Sequence, residues 1–297
     1  MGRAELSDFY QPVRDELIWR GTTALGRSWE IRCGDAETEI EKLQPNSVNC
    51  IVTSPPYFWL RDYQVEGQLG QEETVQAYVD NLAMIFRAAY DTLAPDGLFF
   101  LNIGDTFYSG KGKSHGVDGK SKKRRFGLRA VDKSGGLDLG LQRKSLIGIP
   151  WRVAMRLASD GWVLRSSIIW HREHCLPEHV RDRPSRSYEY VFMFAKDRYY
   201  YFDKEQLVAK NIEEDMWTIA AKPKARNGID TAPFPDELVN RCLSIGCKPL
   251  GTVLDPFLGS GTTLRVAAEM GLGGIGIDLN PDFCAYAVAG MEVACRS

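Results

Sequence analysis

Thr252-Val253-Leu254-Asp255-Pro256-Phe257-Leu258-Gly259-Ser260-Gly261-Thr262-Thr263 reads as a strand, a glycine-rich turn and the first residues of a helix. Gly259 and Gly261 let the backbone turn sharply and approach a ligand closely. The loop has no Lys, and its glycines do not fit the G-x-x-x-x-G-K-[ST] spacing of a phosphate-binding loop. Nor is it G-x-G-x-x-G, which disfavours a dinucleotide. A second strand, Gly274-Ile275-Gly276-Ile277-Asp278, ends in an acid shortly afterwards. In nucleoside-binding α/β folds an acid at that place holds a ribose diol. The pair points to an adenosine-containing cofactor without a pyrophosphate.

Upstream, the apolar run Val48-Asn49-Cys50-Ile51-Val52 reads as a buried strand, and Thr53-Ser54-Pro55-Pro56-Tyr57 follows it. Open α/β sheets bind ligands beyond the carboxyl ends of their strands. Two prolines remove two backbone donors and fix two φ angles. They leave a rigid corner with a hydroxyl at Ser54, a carbonyl at Pro55 and a ring at Tyr57. Such a set suits a planar base with an exocyclic NH₂: hydroxyl and carbonyl accept from the amine, and the ring face of Tyr57 stacks. Taken by itself, the same pentapeptide also reads as a proline turn closing a strand.

Together these stretches resemble the amino-methyltransferases of DNA, which carry a D-P-F-x-G-S-G-T-T loop and a [DSN]-P-P-[YFW] loop. The catalytic loop comes first and the cofactor loop near the C-terminus, the order of the beta class. The resemblance extends from Cys33-Gly34-Asp35 to Asn280-Pro281. It implies S-adenosylmethionine as cofactor, a Rossmann-like methyltransferase fold with circularly permuted motifs, and duplex DNA as substrate. Ser54, Pro55, Pro56 and Tyr57 are the implied catalytic corner. Asp35, Thr53, Asp255, Phe257, Gly259, Ser260, Gly261, Thr262, Thr263, Asp278 and Asn280 are the implied cofactor residues. The Thr-Ser-Pro-Pro-Tyr form is most like the cytosine-N4 branch, whereas an Asp at position 54 would point to adenine-N6. Methylation at a ring carbon needs a Cys nucleophile, and no Pro-Cys dipeptide occurs here.

Outward from the motifs, strands alternate with helices, which implies an α/β, doubly wound, mostly parallel sheet. Glu30–Cys33 is a short strand, followed by a helix over Ala36–Leu43. Val75, Tyr78, Val79, Leu82, Ile85, Phe86, Ala89, Tyr90 and Leu93 recur at helical spacing. Ala94-Pro95-Asp96-Gly97 then signals a turn before a strand over Leu98–Ile103. Pro150 suits the first turn of a helix ending near Ser159. Trp162–Trp170 and Glu189–Ala195 read as strands, with Tyr199–Phe202 able to pair with the latter as a hairpin. A helix over Asp236–Ile245 precedes the glycine-rich loop, and the last helix begins near Asp282.

The chain has 297 residues, 44% of them hydrophobic, enough for one large α/β domain with a proper core. No apolar run reaches the length of a membrane span, and the N-terminus has no signal-peptide core. Seven scattered cysteines without a C-x-x-C pair suit a reducing compartment, so a cytoplasmic, nucleoid-associated enzyme is expected. Net charge is only −2, but residues 107–144 hold eleven Lys and Arg against three Asp, a local +8 that leaves −10 for the rest. A basic patch on an acidic body is an electrostatic footprint for phosphates. This Gly-rich insertion, with Lys122, Lys123, Arg124 and Arg125 at its centre, is expected to be a mobile DNA-contacting loop; the plain alternative is a solvated charged insertion. Arg181, Arg183 and Arg186 are further candidates for phosphate contacts, within a target-recognition region over 171–231, with surface salt bridges as the competing reading.

His171, His174, Cys175 and His179 cluster, but without finger-like spacing no metal is expected. Asp35 is as well placed to cap a helix as to hold a cofactor. Phe58 and Trp59 read first as core. Oligomeric state, monomer or homodimer, and the presence of a cognate restriction endonuclease are not encoded in these motifs. Three other readings fit the residues: an adenine-N6 enzyme, an RNA or protein-amide methyltransferase, and a DNA-binding protein without activity.

Overall fold

The computed structural model describes residues 17–63, 65–108, 140–173, 180–221 and 233–295. Its strands are β1 (Leu17–Thr22), β2 (Ser28–Cys33), β3 (Val48–Thr53), β4 (Leu93–Ile103), β5 (Val163–Glu173), β6 (Tyr188–Ala195), β7 (Met216–Ala220), β8 (Thr252–Asp255) and β9 (Gly273–Asp278). Its helices are α1 (Ala36–Glu41), α2 (Val75–Thr92), α3 (Ile149–Ser159), α4 (Lys204–Ala209), α5 (Asp236–Gly246), α6 (Thr262–Glu269) and α7 (Pro281–Ala294). The strands form one sheet in the order β1-β2-β9-β8-β3-β4-β6-β5-β7. β1 runs antiparallel to β2, and β6 runs antiparallel to both β4 and β5; the other neighbours are parallel. The α/β, doubly wound, mostly parallel sheet expected from the sequence is therefore present.

Alternation builds the core. In β3, Ile51 packs to one face while Cys50 and Val52 pack to the other; in β4, Phe99 and Leu101 oppose Leu98 and Phe100; in β6, Phe192 and Phe194 oppose Val191 and Met193. Both faces are apolar because helices cover both, the condition under which parallel strands are stable. α2 shows how: Thr74 caps its N-terminus by accepting from the Ala77 N–H, and Tyr78, Leu82, Phe86 and Ala89 form its fully buried stripe.

β3 and β8 lie side by side at the centre, and the chain leaves them in opposite directions: β8 continues to β9, β3 continues to β4. A crevice opens at the carboxyl ends of such a pair. The carboxyl ends of β2, β9, β8, β3 and β4 share this edge, and the antiparallel β6 brings its first residues, Tyr188 and Glu189, to the same edge.

Three details depart from the sequence reading. The Tyr199–Phe202 segment is not a strand: β6 already has β4 on one side and β5 on the other, so no ladder edge is left. Instead the Tyr201 N–H donates to the Asp96 carbonyl and the Asp203 N–H to the Ile245 carbonyl. β4 begins at Leu93 rather than Leu98, with Ala94–Gly97 carried as an irregularity: Val48 faces Leu93, but Cys50 already faces Leu98. β1, β7 and α4 have no counterpart in the sequence reading. Most of the basic insertion, 109–139, and with it Lys122, Lys123, Arg124 and Arg125, lies outside the described residues, as do His174, Cys175 and His179. Among the described residues no group of three or more His, Cys, Asp or Glu side chains is arranged to hold a metal, and no helix is long and apolar enough to cross a membrane.

Candidate active site

The crevice between β3 and β8 opens into a cleft with about 710 Å³ of empty space, open to solvent at its mouth. Its floor is Pro256, Phe257, Gly259 and the β9 end, Asp278, Leu279 and Asn280; its other sides are Asp35, Ser54, Pro56 and Phe283, with Tyr63, Val65, Gly67, Gln68 and Leu69 across the top. Tyr63 packs edge-on against Phe283 at 6.1 Å, joining this top side to α7. Gln68 fixes it by accepting from the Tyr63 N–H at 2.8 Å and donating to the Arg61 carbonyl at 3.4 Å. Seven of the sequence-derived candidates line the cleft: Asp35, Ser54, Pro56, Phe257, Gly259, Asp278 and Asn280. Tyr63, Gln68 and Phe283 carry no local signal that would have singled them out.

Asp278 stands at the tip of β9. One carboxylate oxygen accepts from the Gly259 N–H at 2.7 Å, the other from the Asn280 N–H at 2.8 Å. Each oxygen retains a lone pair, so the group can accept further hydrogen bonds from the cleft. Burial pushes its carboxyl above the ordinary value, against the pull of those two N–H groups. Gly259 and Gly261 both adopt positive φ, +52° and +81°. The structure also gives Gly261 a packing role: a Cβ there would sit 2.8 Å from the Cβ of Ala287 in α7. Asp35 lines the cleft and caps α1 at the same time, accepting from the Thr38 N–H at 3.0 Å.

Thr53, Asp255, Thr262 and Thr263 are packed beneath the floor, each buried. Asp255 accepts from Thr53 Oγ1 and Thr263 Oγ1, both at 2.6 Å, and from the Phe257 N–H at 3.1 Å. It therefore bolts β3, β8 and α6 together under the turn. Burial raises its carboxyl to about 6, with Thr263, Thr53 and the Phe257 N–H pulling the other way and Asp278 adding to the rise. Ser260 is half-buried, its hydroxyl 3.4 Å from that of Thr262.

The Thr53–Tyr57 corner rises from the end of β3. Pro55 is buried and Ser54 half-buried. The Pro56 carbonyl accepts from the Tyr78 hydroxyl at 2.8 Å, which pins the corner to α2. Phe58 is core, 5.5 Å from the Tyr78 ring, and Trp59 donates its indole N–H to the Glu72 carbonyl. Tyr57 is more than a ring face. Its hydroxyl donates to Glu189 Oε2 at 2.6 Å and accepts from Ser54 Oγ at 3.3 Å. Asn102 of β4 donates to the same Glu189 oxygen at 3.2 Å, and Arg172 of β5 pairs with the other at 3.0 Å. Burial and the Glu189 charge push the Tyr57 phenol well above its ordinary value, so it stays protonated as a donor. Glu189, Asn102 and Arg172 were not among the sequence-derived candidates. An acid within the aromatic strand Tyr188–Ala195 is the one trace they leave in the sequence.

On the outer side of the corner, the Arg183 and Arg186 guanidiniums lie over the Phe107 ring at 3.9 and 5.2 Å. Arg186 also donates to the Asp105 carbonyl, and Asp105 in turn accepts from the Gly148 and Ile149 N–H groups at the start of α3. Arg181 is exposed beside them.

Residues 48–289 match the family model of the N6/N4 DNA methylases. The type II methyltransferase M.SmaI of Serratia marcescens is 40% identical over 269 residues, 88% of this chain and 90% of that protein. The type II methyltransferase M.Cfr9I of Citrobacter freundii is 40% identical, over 86% of this chain and 85% of its own length. Among solved structures, the cytosine-N4-specific PvuII DNA methyltransferase superposes with a TM-score of 0.68 at 20% identity, covering 93% of both chains. A Thermus thermophilus protein complexed with S-adenosyl-L-methionine superposes with a TM-score of 0.61 at 25% identity, over 89% of this chain and 93% of the other. The strand-turn-helix at Asp255, the acid-tipped β9 and the proline corner thus sit in a chain that belongs to the N6/N4 DNA methylase family, a family of S-adenosylmethionine-dependent enzymes that methylate DNA.

Proposed function

We propose that this chain methylates the exocyclic N4 of a cytosine flipped out of duplex DNA, at a specific sequence and as the modification half of a type II system. The observation that carries the reading is the Ser54-Pro55-Pro56-Tyr57 corner at the mouth of the cleft, with Ser rather than Asp at its first position. The cleft suits the cofactor. Its described lining holds two carboxylates, Asp35 and Asp278, and no Lys or Arg, which favours a ligand carrying ammonium and sulfonium charge over a polyphosphate. Asp278 would accept from the ribose hydroxyls, Phe257 and Phe283 would flank the adenine, and Gly259 would allow the close approach. Asp255, Thr53 and Thr263 would act one layer below, holding the turn in place.

When bound, S-adenosylmethionine supplies a methyl group already activated on sulfur. The chain's part is to orient the acceptor. The lone pair of a cytosine amine is delocalised into the ring, which makes it a poor nucleophile. Ser54 Oγ and the Pro55 carbonyl would accept its two N–H bonds and favour a pyramidal nitrogen. The lone pair would then face the methyl carbon, so that the N–C bond could form as the C–S bond breaks, with S-adenosylhomocysteine as the leaving thioether and the surplus amine proton passing to solvent. The amine is inaccessible in a stacked duplex, so the base must be extruded. Tyr57 would stack on it, a contact worth about 1–3 kcal/mol. Arg181, Arg183, Arg186 and the 107–144 insertion would meet phosphates around the extruded nucleotide.

Nucleoside mass spectrometry of duplex DNA incubated with the protein and labelled S-adenosylmethionine tests this directly. 4-Methylcytosine is expected. Only 6-methyladenine would replace the base assignment while leaving DNA amino-methylation in place; label transferred to RNA or protein but not DNA would replace the substrate class.

A further inference from the structure

Glu189 holds more donors than an ordinary ion pair requires. Its side chain is 14% exposed, and its partners come from three other parts of the fold: Tyr57 after β3, Asn102 in β4 and Arg172 in β5. Asn102 is itself fixed, its amide donating also to the Tyr190 carbonyl at 3.1 Å. A carboxylate paired with Arg is acceptor-only. Tyr57 has two acceptors in reach, Glu189 Oε2 at 2.6 Å and Asn102 Oδ1 at 3.3 Å, and the shorter, charged one takes its single hydroxyl proton. The phenol oxygen is then left as an acceptor, and Ser54, 3.3 Å away, is the neighbouring hydroxyl that can donate to it. The chain of hydrogen bonds has one direction: Ser54 to Tyr57 to Glu189. The Ser54 proton points away from the cleft, and its lone pairs point toward it.

From this arrangement we propose that Glu189 is a positioning residue for methyl transfer, which sets the polarity of the Ser54–Tyr57 relay so that Ser54 presents an acceptor to the target amine. The proposal rests on the amino-methyltransfer reading above. Without the charge, the relay loses its direction. Glu189→Gln keeps the shape, but its amide can donate to the phenol oxygen. Tyr57 is then free to donate to Asn102 Oδ1 or to Ser54, and Ser54, no longer bound to one direction, to turn its own proton into the cleft, against the N–H of the amine. The effect belongs to turnover, because the cofactor and the DNA backbone are held elsewhere.

The test is steady-state and single-turnover methylation of duplex DNA by Glu189→Gln, Tyr57→Phe, Ser54→Ala and their pairwise combinations, with thermal stability and cofactor affinity measured alongside. Glu189→Gln is expected to lower kcat about 10–100-fold, as the loss of a charge-assisted hydrogen bond does, with KM for DNA and cofactor affinity little changed. Tyr57→Phe, which retains the ring, should lose a similar factor. The double variants with Ser54→Ala should be no slower than Ser54→Ala alone, since members of one relay do not act additively. Wild-type kcat in Glu189→Gln, or a loss that multiplies fully with that of Ser54→Ala, overturns the proposal. Should Glu189→Gln fold poorly, Tyr57→Phe with full activity overturns it equally. If the wild type itself transfers no label to DNA, it is the amino-methyltransfer reading that fails; normal transfer by wild type and variant alike removes only the role of Glu189.

Discussion

The two walls of the cleft are built in different ways. On the β8–β9 side, each carboxylate accepts from a backbone N–H two residues on; Asp278 adds the Gly259 N–H nineteen residues back, and Asp255 adds the Thr263 hydroxyl eight residues on and the Thr53 hydroxyl of the neighbouring strand. On the corner side, the Tyr57 hydroxyl is held by side chains alone: Ser54, three residues back, Asn102, 45 residues away, and Glu189, 132 residues away. Backbone donors in a short loop are placed by φ and ψ and barely depend on neighbouring side chains. Side-chain networks across strands are placed by sheet register, and each member can be exchanged separately. The difference would suit the two ligands proposed for these walls. A cofactor that never changes can be met by a rigid, locally coded turn. A base that differs between cytosine-N4 and adenine-N6 enzymes is better met by parts that can vary.

Four measurements press on this contrast. The largest effect should come from breaking the local side. Gly261→Val forces a β-branched residue to φ +81° and drives its Cβ to within 2.8 Å of the Ala287 Cβ. Several kcal/mol of stability should be lost, through left-handed backbone strain and overpacking together, with denaturant midpoint as the readout. Cofactor affinity should fall only because the fold does. A stable variant with selectively weakened cofactor binding would show that the glycine serves ligand approach and not packing against α7.

On the corner side, Ser54→Ala should leave stability and cofactor affinity near wild type and cost about 10²–10³ in methylation rate, the usual loss for one preorganised hydrogen-bonding group. Unchanged turnover would take the corner out of the chemistry.

The third measurement is pH dependence. Asp255 has its carboxyl raised to about 6 in the folded protein, against an ordinary 3.8. The folded state therefore binds this proton more tightly than the unfolded chain. The stability it contributes is complete below about pH 4 and is lost as pH rises through 6; above that the buried charge is carried in full. Two units correspond to about 3 kcal/mol at most. Asp255→Asn can still accept from Thr53 and the Phe257 N–H while donating to Thr263, so it should fold and should lack this share of the pH dependence between 4 and 6. Equal pH slopes in the two proteins would falsify the assignment of Asp255 as the titrating bolt beneath the turn.

The smallest effect is expected at Asp278. Asp278→Asn keeps the shape but turns an amide against the Gly259 N–H and removes the charge facing the cleft. Calorimetry should find S-adenosylmethionine bound more weakly by about 1.5–3 kcal/mol, as for hydrogen bonds to a charged group. Wild-type affinity in the folded variant would exclude Asp278 from the cofactor site.

How much of this was legible beforehand follows the same division. The strand-turn-helix at Asp255, the acid ending β9 and the corner after β3 are each coded within a few residues. Glycine permissiveness, proline rigidity and apolar runs act at short range, so α2, α3 and the positions of the central strands along the chain could be read directly. The Tyr199–Phe202 hairpin was misplaced because aromatic and β-prone residues signal a strand without saying whether a ladder edge is free. β4 and β5 had already taken both edges of β6.

The sequence by itself determined the mostly parallel sheet, the place of the two motifs at strand carboxyl ends, and which residue types the turn and the corner present. Tertiary structure alone decided where each candidate sits. It turned Asp255, Thr53 and Thr263 under the floor, assigned Gly261 to packing on α7, and brought Tyr63, Val65, Gly67, Gln68 and Leu69 over the cleft. It also set Glu189 against Tyr57. That pairing depends on β6 running antiparallel beside β4, so that the first residues of one strand meet the corner beyond the end of another. Register across a sheet is set by the packing of whole faces, and no window of local sequence contains it.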